Sequence, residues 1–75
     1  TRVHAREVFR LAIALGADSV ICVHNHPSGN PFPSQDDHAV TADLSAAGKL
    51  LGIPMIDHII IGDRNYFSFK AAGWL

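Results

Sequence analysis

Three of the four prolines in this 75-residue chain stand at positions 27, 31 and 33, with Gly29 among them. Proline fixes its own φ, lacks an N–H and biases the residue before it away from helix, so no long helix or inner strand can run through residues 27–33. That stretch must be a stiff, turning connection, and it delimits whatever lies on either side. Just before it, residues 18–23 read DSVICV, a short apolar and partly β-branched run suited to a buried strand. Just after it, Ser34 precedes residues 35–51, where Val40, Leu44, Ala47 and Leu51 line one side at steps of three and four, the mark of a helix.

The flanks complete the order. Over residues 4–15, Val8, Leu11, Ala12 and Leu15 recur at helical spacing, and Gly16 follows where a C-terminal cap belongs. Gly48 weakens the middle of the second helix by up to about 1 kcal/mol relative to alanine, and Gly52 ends it. Residues 53–61, IPMIDHIII, read as a strand with Pro54 near its beginning or at an edge. GDRN at 62–65 turns the chain into a short strand over 66–69, and residues 70–75 are expected to form a short helical tail. Helix, strand, helix, strand, strand, tail is an α/β arrangement, with helices covering a small mixed sheet. Three strands make a thin sheet, and the chain starts with Thr1 rather than Met. The expectation is a single domain over residues 1–75, represented by an N-terminally truncated fragment whose missing part supplies further strands.

A chain this short buries only about 60% of the surface that its unfolded form exposes, so a staple is expected. The single cysteine, Cys22, forms no intrachain disulfide, which fits a reducing compartment and leaves a metal as the internal staple. Cys22 itself reads as a small buried hydrophobe. Six Lys and Arg against seven Asp and Glu give a formal charge of -1 without a like-charged run, weak ground for a nucleic-acid binder. Arg2, Arg6 and Arg10 form a modest stripe, most simply a solvated helix face. No apolar run approaches the ~20 residues of a membrane span, and charges occupy the start where a signal peptide would be apolar. A soluble, cytoplasmic chain is expected.

The chemistry concentrates in VHNHPSGNPFPSQDD, residues 23–37. Strand side chains alternate, so His24 and His26 project from one face as the strand ends, while Asp37, in the first turn of the following helix, can face back toward both imidazoles. Two neutral imidazoles and one carboxylate suit Zn2+ and leave a fourth tetrahedral position for water, whose pKa zinc lowers to about 7. Ser34 and Asp37 also form a helix-start pattern akin to a capping box, and capping alone would explain both; the H-x-H pair at a matching distance favours the metal reading, with which capping is compatible. The letters HNH do not make an HNH nuclease, whose residues are dispersed over a ββα motif. His38, rotated by about 100° from Asp37 on the helix, is expected at the surface, and His4 in solvent. Asp57 and His58, adjacent on a strand, face opposite sides; one of them orients a ligand, or both make ordinary buried polar contacts. Phe67, Phe69 and Trp74 follow a core-packing pattern.

His24-x-His26, seven residues, Ser34, two residues, Asp37 matches the H-x-H-x7-S-x2-D signature of the JAMM (MPN+) metalloproteases. With the later DHIIIG and YFSF…GWL, the chain resembles the RadC-like branch of that family over essentially its whole length. The resemblance implies a JAMM/MPN, cytidine deaminase-like architecture, zinc held by His24, His26 and Asp37, and Ser34 as a catalytic residue that helps stabilise the oxyanion. It also implies a general-base glutamate on a strand ahead of the first helix. That strand is absent from these residues, and the sole glutamate, Glu7, lies within the first helix. The expected function is that of a zinc-dependent hydrolase domain of metallopeptidase or isopeptidase type acting on a peptide or protein substrate. Two alternatives stand beside it: a DNA-repair-associated accessory protein with a structural metal, and a non-catalytic interaction module. A homo-oligomer paired through an exposed sheet edge is a further expectation.

Overall fold

A computed structural model describes residues 4–75; Arg2 of the arginine stripe lies outside the described residues, while Arg6 and Arg10 are exposed and bracket Glu7. The described elements are α1 (Ala5–Ala14), β1 (Val20–Asn25), α2 (Gln35–Leu51), β2 (Met55–Ile61) and β3 (Tyr66–Ser68). The second helix runs over the residues that its periodicity marks. The first is shorter by one residue at each end, with His4 and Leu15 as its caps. The first strand starts two residues later than its apolar run and continues through His24 and Asn25, because pairing to β2 carries it onward.

Among the described residues the sheet has three strands in the order β1-β2-β3, the first pair parallel and the second antiparallel. Parallel neighbours need a crossover, which α2 provides, whereas β2 and β3 are joined by the 62–65 turn, closed by the Gly62 N–H donating to the Asn65 carbonyl at 2.8 Å. Pro54 sits just ahead of β2, where it costs no ladder bond. The tail is a correction: residues 69–73 form turns rather than a helix. Six residues are too few to repay helix nucleation, and Gly73, at φ 79, swings Trp74 back so that its N–H reaches the Phe69 carbonyl.

One core lies between the helices and the inner face of the sheet. Phe9 and Ala12 of α1, Val40 and Leu44 of α2, and Met55 of β2 are buried together, with Val20 and Cys22 of β1 packed against them. Cys22 is thus only partly buried, though burial still pushes its thiol pKa up. Gly48 is more than a weak helix residue here. A Cβ at this position would meet the Ile53 carbonyl oxygen at 2.5 Å, so only glycine lets the chain entering β2 cross α2 this closely. The opposite sheet face keeps Ile21, Val23 and Ile61 exposed.

A register irregularity in β2 positions the site. Val20 pairs with Met55 and Ile21 with Asp57, so Ile56 is extra, and the alternation of faces resets between Met55 and His58. Met55 can therefore enter the core while His58, three residues on, faces the same side as Cys22 and His24.

Candidate metal centre

His24 lies at the carboxyl end of β1, His26 just beyond it, and Asp37 in the first turn of α2. The backbone N–H of His26 still donates to the Ile61 carbonyl at 3.0 Å, so the sheet holds both histidines in extended geometry. The loop between His26 and α2 is braced from beneath: the Gly29 N–H donates to the His26 carbonyl and the Asp63 N–H to the Gly29 carbonyl. Two turns that are far apart in sequence thus lock together under the histidines.

The three side chains converge. Asp37 Oδ1 is 3.0 Å from His24 Nε2 and Asp37 Oδ2 is 2.9 Å from His26 Nε2. One ligand atom from each residue lies within 4.8 Å of the others. Tetrahedral ligands at zinc distances sit roughly 3.3 Å apart, within the range set by those separations.

Ser34 caps α2, and Asp37 completes a reciprocal capping box. The Ser34 N–H and hydroxyl both donate to Asp37 Oδ2 at 2.9 Å, while the Asp37 N–H donates to Ser34 Oγ at 3.1 Å. Cap and candidate ligand are therefore the same carboxylate, oriented so that Oδ1 faces His24. Burial pushes the Asp37 carboxyl up, but hydrogen bonds, led by those from the Ser34 N–H and hydroxyl, hold the group below the usual carboxylate range. It is a carboxylate at neutral pH, as a metal ligand must be.

The partners behind the imidazoles suit a cation. His26 Nδ1 is 2.8 Å from the Asn30 carbonyl, so that nitrogen carries the proton and Nε2 faces Asp37. The ring thus lies between two acceptors, with Nε2 directed at the place where a metal held by Asp37 would sit. His24 Nδ1 is 3.0 Å from Nε2 of His58, a residue only 2% exposed. His58 stacks flat on Phe69, with ring centroids 5.0 Å apart. Burial, with the neighbouring His24, draws its pKa below the ordinary histidine value, against the opposing pull of Asp37 and Asp57.

Of the two open assignments on β2, His58 thus reaches a candidate ligand, and Asp57 does not. Asp57 faces the other side of the sheet and accepts from Ser68 Oγ at 2.6 Å and from the Lys70 and His58 N–H groups. His38 is exposed, as its helical position requires, and packs beside Phe69 and Trp74. Phe69 is buried, but Trp74 is about half exposed, at the rim rather than in the core. Glu7 is on α1 and paired with Arg10 at 3.2 Å. Thr41 and Asn30 were not legible as contributors: Thr41 is one polar residue on a helix, and Asn30 contributes its backbone carbonyl.

A family model for the RadC-like JAB domain matches residues 1–74, nearly the entire chain. The chain belongs to this family. RadC-like relatives include UPF0758 proteins from Trichlorobacter lovleyi and Bacillus licheniformis, each 56% identical over 73 residues, or 97% of this chain and 32% and 33% of those proteins. A UPF0758 protein from Thermotoga maritima is 51% identical over the same share of this chain and 33% of its own length. The chain spans about a third of the length of the curated relatives it matches. As a RadC-like JAB domain it is a JAMM-type domain with the mixed α/β fold described above, and no described helix is long and apolar enough to cross a membrane.

Proposed function

We propose that this RadC-like domain is a zinc-dependent hydrolase module of the metallopeptidase or isopeptidase type. The observation that carries the reading is the convergence of His24, His26 and Asp37 on one point at the mouth of the β1–α2 connection. Bound there, zinc would supply a Lewis acid and a water that ionises near neutral pH. The protein's part is to hold two imidazoles and one carboxylate in a fixed array and to shape the space around them. A cleft of about 450 Å3 opens beside His24 and Asp37, walled by Val8, Cys22, Val40 and His58, and gives a peptide chain room to approach.

Ser34 is the residue proposed to help hold a developing oxyanion. Its hydroxyl proton points at Asp37 Oδ2, so this role requires the hydroxyl to rotate while its oxygen keeps the helix cap. Glu7, committed to Arg10, is not proposed as the base. The JAMM resemblance assigns that role to a glutamate on a strand outside these residues.

Zinc per chain, measured by elemental analysis after exhaustive dialysis, tests the reading. Near one zinc in the native chain and a large loss in Asp37→Ala support it, and hydrolysis of peptide and isopeptide bonds is then assayed with the zinc-loaded protein. A folded native chain that retains no zinc would leave a capping role for Ser34 and Asp37 and remove the hydrolase proposal.

A further inference from the structure

A chain of buried and part-buried hydrogen bonds connects two of the candidate ligands through residues outside the motif. The Thr41 hydroxyl lies 2.8 Å from the backbone carbonyl of Asp37, one helical turn earlier. A carbonyl only accepts, so the single hydroxyl proton goes there. Thr41 Oγ1 also contacts His58 Nδ1, and having given its proton away it must accept, which places a proton on His58 Nδ1. His58 and Thr41 are 2% and 4% exposed, an environment that favours a neutral ring. A neutral His58 protonated at Nδ1 has a bare Nε2, and that atom faces His24 Nδ1 at 3.0 Å. His24 must then carry its proton on Nδ1, leaving the Nε2 lone pair directed to the point shared with His26 and Asp37.

We propose that Thr41 and His58 are positioning residues that select the metal-binding tautomer of His24. This rests on the metal reading above but concerns different atoms. The two histidines are set by separate devices: His26 by a loop carbonyl, His24 by a side-chain relay anchored on the helix that carries Asp37. Reversing any proton in the relay puts a hydrogen on His24 Nε2, where a metal would bind. Phe69, flat against His58, fixes the plane of that ring.

The test compares the native chain with Thr41→Val, which keeps the side-chain shape without the hydroxyl, and Thr41→Ser, which restores it. Zinc affinity is measured by competition with a chelating dye, and the proton positions on His24 and His58 by long-range 1H–15N correlation spectra of the zinc-loaded protein. The native chain is expected to show Nδ1–H on both rings. Thr41→Val should bind zinc about 10–100-fold more weakly, and Thr41→Ser should return to within about threefold of native. Native-like zinc affinity in a folded Thr41→Val, or a proton on His58 Nε2 in the native protein, overturns the relay while leaving the metal site intact. Absence of zinc binding by the native chain itself overturns the metal reading and the relay with it. If Thr41→Val does not fold, Thr41→Ser and the native spectra decide the question.

Discussion

His26 places Nε2 2.9 Å from Asp37 Oδ2 and Nδ1 2.8 Å from the Asn30 carbonyl, so one ring is held between two acceptors. A cation bound beside Nε2 would stand where a proton otherwise lies, and zinc that binds this folded array and not the unfolded chain should stabilise the fold. At free zinc about 100 times its Kd the gain is about 2.7 kcal/mol, or roughly 10–20 °C in Tm for a domain of this size. Scanning calorimetry with zinc and with chelator should show this difference in the native chain and lose most of it in His26→Ala. Equal melting of the native chain in both conditions would count against the site.

Ser34 caps α2 through its oxygen and steadies Asp37 through its N–H and its hydroxyl proton. Ser34→Ala keeps the N–H bond and loses the other two. The expected cost is about 1 kcal/mol of stability in the metal-free protein, with a smaller loss of zinc affinity than Asp37→Ala causes. Denaturant melts combined with dye competition separate the two effects. A Ser34→Ala variant as zinc-poor as Asp37→Ala would make the serine a larger part of the site than its contacts indicate.

Gly62 touches the loop that carries His26. A Cβ there would lie 2.5 Å from the Gly29 carbonyl oxygen, 2.7 Å from Pro31 Cδ and 2.8 Å from Asn65 Oδ1. Backbone and a proline ring cannot step aside, so Gly62→Ala must spread the two turns. Overpacking of this kind costs about 1–3 kcal/mol, and zinc affinity should fall although no ligand has changed. A variant that melts and binds like the native protein would show that the loop is not braced by this contact.

Asp57 works at a distance from the ligands. Burial raises its carboxyl pKa, but hydrogen bonds from Ser68, Lys70 and His58 and the charge of Lys70 hold it below the ordinary value. Its folded-state pKa is thus lower than its unfolded one. The stability it contributes is present in full above the ordinary aspartate pKa of about 3.9 and is lost as pH falls through the lower folded value. Urea midpoints measured from about pH 5 down to pH 2 should decline less steeply in Asp57→Asn than in the native chain. Parallel declines would mean that other carboxylates govern the acid limb.

Local order determined a good deal of this molecule. Prolines 27, 31 and 33 had to form a connection, the spacing of Val40, Leu44 and Ala47 had to form a helix, and Ser34-x-x-Asp37 had to open it. Each follows from interactions within a few residues, where backbone sterics and helical or strand periodicity decide the outcome. The same short-range rules put His24 and His26 on one side and Asp37 in the first turn of α2, whereas the loop that brings them together is braced by the distant Asp63 N–H on the Gly29 carbonyl. What tertiary structure alone decided lies across longer separations. His58 meets His24 from 34 positions away, and it can do so only because the irregular pairing at Ile56 resets which face of β2 it occupies. Strict alternation from Met55 would have turned His58 away from the site, since a one-residue change of register moves every later side chain to the other face. Thr41 gains its role in the same way: its bond to the Asp37 carbonyl is local, but the His58 ring that gives this bond a consequence comes from 17 positions away.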